Sequence, residues 1–168
     1  RLWTRGRFPV SYTAADDEAS ADWRRDFTRT FVERDAVEFG LGMPSATLDR
    51  FWRMLAHWHG QVFNAAELGR NFGVSSPTVA RYLDALVDTF MVRRLAPWHE
   101  NLAKRQVKSP RVYIADTGIL HTLLDIRGRR DLDGHPRVGS SWESFAMDVV
   151  IGGLGARRDQ CYFWATHA

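Results

Sequence analysis

Residues 64–90 read NAAELGRNFGVSSPTVARYLDALVDTF, and the fold turns on this stretch. Asn64 followed three residues on by Glu67 has the form of a capping box, opening a short helix with Leu68 inward and Gly73 as its C-terminal stop. A turn at Gly73-Val74-Ser75 follows. Ser76 then offers an N-cap with Pro77 at the first helical position, and Val79, Leu83, Leu86, Val87 and Phe90 give the next helix one buried face. Tyr82 falls near that face and is expected in the core.

Working outward, Leu48, Phe51, Trp52, Leu55 and Trp58 recur at helical spacing, and Gly60 closes that helix, so three helices follow one another from Ser45. Met91–Leu95 and Arg111–Ala115 read as strands, separated by a polar loop that holds Lys104, Arg105 and Lys108. Helix, turn, helix, strand, basic loop, strand is the order of a winged helix-turn-helix, in which the third helix addresses nucleic acid and the loop is the wing.

A helical wheel turns Pro77, Arg81, Asp84, Ala85 and Asp88 outward, with Thr78 at the flank. Ser75, Ser76, Thr78 and Arg81 crowd the N-terminal end, where free backbone N–H groups and the helix dipole favour phosphate. Asp84 and Asp88 are expected to repel phosphate, so only the first two turns can approach DNA. Both lysines of the chain lie in the wing beside Arg105, where they would hold phosphates without reading sequence. Arg93 and Arg94 alternate on a strand, so at most one faces the nucleic acid, and Arg93 is the candidate.

The 168 residues carry a net charge of +3. The excess is concentrated: residues 41–115 hold 10 Lys and Arg against 5 Asp and Glu, while the flanking segments are each slightly acidic. That is the electrostatic footprint of a segment that touches a polyanion. One cysteine, Cys161, rules out disulfide frameworks and four-cysteine zinc sites and suits a reducing compartment, so the cytoplasm is expected. No apolar run approaches the roughly 18 residues of a membrane span. A first residue other than methionine and an end just after an aromatic run read as the two ends of a fragment.

Before the three helices, Arg1–Pro9 is a basic, aromatic run, and Trp23, Phe27, Phe31 and Val32 mark an amphipathic helix over about Ala19–Val37, ended by Gly40. After them, Asp116 caps a helix over Ile119–Leu124, a polar loop spans Arg127–Pro136, and Ser140 or Ser141 opens a helix with Trp142, Phe145, Val149 and Val150. The glycines at 152, 153 and 155 end it, and Cys161–Trp164 reads as a strand. His57 and His59, two apart, splay on a helix and do not form a metal pair. Cys161 lacks the histidine or basic cluster that marks a nucleophile. No G-x-x-x-x-G-K-[ST] loop occurs.

Several short stretches together resemble a known family. They are Gly6-Arg7-Phe8-Pro9, Arg34-Asp35, Leu55 through Gly60 with the helix-turn-helix after it, Asp88-Thr89-Phe90, Lys104-Arg105 through Tyr113, Asp116-Thr117-Gly118, Gly139 through Glu143, and Tyr162 through His167. The family comprises bacterial and archaeal AAA-type ATPases whose C-terminal region is catalogued as domain of unknown function 4143. The resemblance implies a parent protein with a P-loop ATPase module using ATP and Mg, a winged helix, and a C-terminal domain similar to the PD-(D/E)XK nuclease fold. Arg7 stands where the family carries a second glycine, and the acidic strand residues of a nuclease would follow Ala168. By the same resemblance Glu143 is a metal candidate, although one carboxylate cannot hold the ion alone. Ser140-x-x-Glu143 also fits a capping box.

The expected fold is therefore α+β and mainly helical, a winged helix-turn-helix followed by the start of a nuclease-like α/β unit. Residues 1–44 would be the end of an ATPase module or a linker helix, 45–115 the winged helix, and 116–168 the truncated unit. The expected function is a non-catalytic, DNA-binding fragment of an AAA-type ATPase, with Ser75, Ser76, Thr78, Arg81, Arg93, Lys104, Arg105 and Lys108 on the duplex. No cofactor is expected within the fragment. Its expected partners are double-stranded DNA, the ATPase module of the same chain and a possible second copy, with no membrane. A protein-interaction module anchored by tryptophans, or part of a metal-dependent nuclease, are the alternatives.

Overall fold

The computed structural model describes residues 1–35, 43–98 and 109–164. The expected mainly helical α+β class is observed, with a small sheet of three strands. Two short helices, α1 (Leu2–Arg5) and α2 (Pro9–Thr13), precede α3 (Asp17–Thr30), which runs into a π-helical turn at Phe31–Asp35. The central three helices are α4 (Ser45–His57), α5 (Ala65–Phe72) and α6 (Ser76–Asp88). Strands β1 (Val92–Pro97) and β2 (Arg111–Ile114) follow, then α7 (Thr117–Leu123), α8 (Arg129–Asp133), α9 (Val138–Leu154), a 3₁₀ turn at Arg158–Gln160 and β3 (Tyr162–Phe163). Among the described residues no helix is long and apolar enough to cross a membrane.

The central core assembles from the predicted faces. Leu48, Phe51, Trp52 and Leu55 of α4 and Val79, Leu83 and Leu86 of α6 are almost completely shielded, each burial contributing roughly 1.5–3 kcal/mol. Phe51 meets Tyr82 and Phe72 edge-on, both at 5.6 Å between ring centres. The turn from α5 into α6 is tight because Gly69 lets the chain double back: a Cβ there would lie 2.7 Å from the Val74 carbonyl oxygen. Gly73 takes the left-handed conformation and ends α5 as expected.

The sheet has the order β2-β1-β3, β1 pairing antiparallel with β2 (Arg93 opposite Tyr113) and parallel with β3 (Ala96 opposite Tyr162). On the other side of β2 the segment joining α4 to α5 adds a pairing that hydrophobic pattern alone did not reveal. Val62 bridges Arg111 antiparallel, while Gly60 donates to Val112 O, Val112 to Gln61 O and Phe63 to Pro110 O at 2.8–3.1 Å.

The basic, aromatic N-terminal run is helical and docked. Arg5 donates to Asp17 and to Ala14 O, both at 2.7 Å, and the Phe8 ring packs at a tilt against Trp23 and Phe27. Its seat is Asp116-Thr117-Gly118, where the Arg7 backbone N–H donates to Asp116 Oδ2 at 2.6 Å and Thr117 donates to Trp3 O at 2.8 Å. Gly118 is required here because any Cβ would overlap the Arg5 carbonyl oxygen. Gly118→Ala is expected to cost about 3 kcal/mol, the upper end for overpacking against backbone that cannot yield. Urea unfolding checks this, since an unchanged midpoint would mean that the segment sits elsewhere.

Helix α3 begins two residues before the expected start, because Asp16 rather than a later residue accepts the Ala19 N–H at 2.8 Å. It gives way to the π turn at Phe31; the remainder of the expected helix, with Gly40, lies outside the described residues. Helix α9 begins at Val138 without a side-chain cap, so neither Ser140 nor Ser141 opens it, and it runs through Gly152 and Gly153 to stop at Gly155. The capping-box reading of Ser140 and Glu143 is corrected accordingly: Ser140 donates to Arg137 O at 3.1 Å, within the first turn.

Candidate nucleic-acid interface

The N-terminal end of α6 carries the expected residues on one exposed corner. The cap is Ser75 rather than Ser76: its Oγ accepts the Thr78 N–H at 3.3 Å and lies 2.9 Å from Thr78 Oγ1. The shift by one residue leaves Ser76 inside the first turn beside Pro77. Arg81 is exposed one turn further on, and Arg70 is exposed in the last turn of α5, both without an acidic partner among the described residues. Arg50 lies over the Phe72 ring at 4.7 Å and donates to Asn71 O, which fixes a third guanidinium near the end of α5.

The strand arginines part company. Arg94 pairs with Asp84 of α6 at 2.6 Å, so one of the two carboxylates expected to repel phosphate is neutralised by its neighbour. Arg93 points the other way, into a buried ion pair with Asp148 of α9. It is thereby separated from Ser75, Ser76, Thr78 and Arg81, whereas Arg94 stands on their helix. Lys104, Arg105 and Lys108 lie outside the described residues.

Other candidates have structural partners. Glu143 accepts from Tyr113 Oη at 3.1 Å and has Arg111 at 3.8 Å. Among the described residues no group of three or more His, Cys, Asp or Glu side chains is placed to hold a metal ion. His59 is buried, its Nδ1 accepts the Ile114 N–H at 3.0 Å, and Tyr113 packs edge-on against it. Burial drives its pKa down to about 3, against the opposing Ser140 backbone.

His121 is buried as well, with Nδ1 3.0 Å from Thr4 O and Nε2 2.7 Å from Ser141 Oγ, which in turn accepts from Trp3 Nε1. A serine hydrogen-bonded to a histidine has the outline of a nucleophile and its base. Here both side chains are about 1% exposed, so no substrate atom can reach the hydroxyl. The pair is structural, and burial lowers the His121 pKa to about 4.

The tryptophans divide. Trp52 is fully buried and Trp58 half-buried, as the apolar face of α4 requires. Trp23 is half-buried against Phe8 and Phe27. Trp98, Trp142 and Trp164 are more than half exposed, and Trp98 meets exposed Tyr162 edge-on at 5.2 Å.

Comparison with known proteins places the chain among relatives of undescribed activity. It is 48% identical over 166 residues, 99% of its length, to uncharacterized protein Rv2008c of Mycobacterium tuberculosis, and equally to uncharacterized protein Mb2031c of Mycobacterium bovis. The chain spans 37% of the length of these relatives. No solved structure matches it. The resemblance to AAA-type ATPases and their domain of unknown function 4143 is corrected by the family comparison, which fits a different model to residues 1–130. Of the stretches that carried that resemblance, Asp116-Thr117-Gly118 has a local structural role, Asp116 capping α7 and Gly118 making room for the Arg5 carbonyl. The ATPase module, ATP and Mg were inferred through that resemblance alone and lose its support. With more than three quarters of its length matched, the chain belongs to the family described as Domain of unknown function (DUF8612).

Proposed function

We propose that residues 45–115 form a winged helix-turn-helix that binds duplex DNA, with the N-terminal end of α6 entering the groove. The observation that carries this reading is the antiparallel bridge from Val62 to Arg111. It supplies a short strand between the first and second helices, giving the order helix, strand, helix, helix, strand, loop, strand of winged domains. The exposed Arg81 and Arg70, without an acidic partner among the described residues, flank the capped turn at Ser75, where the positive end of the α6 dipole favours phosphate. The loop with Lys104, Arg105 and Lys108 would add phosphate contacts. Asp84, three residues on from Arg81 and held by Arg94, opposes DNA less than its charge alone suggests.

Fluorescence anisotropy with a labelled random duplex at two salt concentrations tests the reading. A steep fall of affinity with salt is expected. Arg81→Ala should cost about 1–3 kcal/mol if it reads a base, whereas Lys104→Ala should weaken all sequences alike and lower the salt slope by about one. No binding at low salt, or equal binding by parent and both variants, rejects it.

A second reading, a protein-interaction module, is favoured by the exposed Trp98, Trp142, Trp164 and Tyr162, since aromatic side chains are common interface anchors. Sedimentation that depends on protein concentration, abolished by Trp98→Ser, would support it over DNA binding.

A further inference from the structure

The geometry points to a binding site for a small aromatic anion, a flat ring bearing a carboxylate or a phosphate, in the cavity between the N-terminal segment and the far end of α6. The cavity measures about 300 Å³, within the range of small-molecule sites. At 1.5 Å per residue it lies roughly 18 Å along α6 from Ser76, so the inference stands apart from the DNA reading.

Three guanidinium groups line this cavity, from Arg7, Arg93 and Arg158, together with the carboxylate of Asp116. The acids in and behind it are already satisfied. Asp148, buried behind the wall, accepts from Arg7 at 2.8 Å and from Arg93. Asp116 accepts backbone N–H groups from Arg7 and Ile119 at 2.6 and 3.0 Å. Each guanidinium has five N–H donors, and Asp148 engages one nitrogen of Arg7 and one of Arg93. Arg158 lies over the Phe90 ring and has no acidic partner among the described residues. The cavity therefore presents spare, positively charged donors beside apolar surface from Phe8, Phe90 and Ile119.

Phe90 is the second, independent sign. Helix α6 ends in a Schellman motif, with Phe90 N–H donating to Val87 O at 3.0 Å and Met91 N–H to Leu86 O at 2.9 Å. The residue at this point is left-handed, with φ of 63°, a conformation suited to glycine and costly for a bulky side chain. The ring gains little shelter in return, being 65% exposed. It forms one wall of the cavity, with the Arg158 guanidinium 4.6 Å from its centre. A strained aromatic side chain paired with an exposed cation is suited to clasping a planar anion, the ring by stacking and the charge by the guanidinium fork.

Isothermal titration calorimetry on the chain tests this with AMP and indole-3-acetate as the two anionic rings. Adenosine, indole and inorganic phosphate serve as controls lacking either charge or ring. Saturable binding of AMP or of indole-3-acetate is expected, at least about ten-fold tighter than its controls. AMP alone would identify the phosphate form, indole-3-acetate alone the carboxylate. Phe90→Gly and Arg158→Gln should each weaken binding by about ten-fold or more, and Phe90→Gly should at the same time raise the melting temperature by relieving the left-handed strain. Binding lost while the fold becomes more stable cannot come from mere structural damage. Failure of both anionic probes to bind, equal binding of the controls, or parental affinity in Phe90→Gly overturns the inference.

Discussion

Between pH 7 and pH 5 the protein loses roughly 3–4 kcal/mol of folding stability through two buried histidines. His59 and His121 start from an ordinary value of 6.5, and burial lowers them to about 3 and about 4 in the folded chain. As the pH falls below 6.5 the unfolded chain takes up a proton at each ring, while the folded chain does not until far lower pH. The stabilisation is thus complete above pH 6.5 and drains away toward pH 4, at up to about 1.4 kcal/mol per pH unit for each histidine. Their hydrogen bonds enforce this: His59 Nδ1 is occupied as the acceptor for Ile114, and His121 is enclosed by Thr4 O and Ser141. Asp116 acts in the opposite sense, since burial raises its pKa despite the N–H groups of Arg7 and Ile119, and its contribution therefore fades as pH rises. Urea unfolding at the two pH values reads the net effect, and a midpoint that stays constant would place protonated, solvated imidazoles in the native state.

Asp148→Ala is the second large effect, an expected loss of about 3–5 kcal/mol. The carboxylate is 4% exposed and binds both Arg7, from the N-terminal segment, and Arg93, from β1. Removing it leaves the Arg93 guanidinium, 17% exposed, without a countercharge in a poorly solvated place, which is why the cost exceeds that of a surface pair. Arg7 is about half exposed and can turn to water. The double variant Asp148→Ala with Arg93→Met should therefore recover a good part of the loss, and no recovery would mean that Asp148 acts through packing rather than charge.

What the sequence made legible was local. Asn64, Gly73 and the serines at 75 and 76 announce helix ends through hydrogen bonds that span three residues, and Asp116 does the same for α7. The choice between Ser75 and Ser76 was beyond such reasoning, because two adjacent serines offer the same hydroxyl to the first turn and only the path of the chain into the helix separates them. Long-range pairings stayed hidden. Val62 forms its bridge in a segment too short to show alternation, and α1 is held by Asp17, Asp116 and Ser141 rather than by any helical period of its own. At the candidate interface the exposed arginine on α6 followed from the wheel. That Arg93 and Arg94 part company followed from strand alternation, but which of them faces α6 did not, because it depends on Asp148 and Asp84, which lie on different helices.

The pairing of Arg7 with Asp148 joins residues 141 positions apart, and this has a temporal side. During synthesis α1 and α2 are made long before their seat exists, since Asp116, Ser141 and Asp148 follow much later. At roughly 5–20 residues per second the wait is on the order of ten seconds. During that interval Trp3, Phe8 and the arginines around them lack the partners that shelter them in the fold, so this segment is open to a chaperone until residues 116–148 have been made.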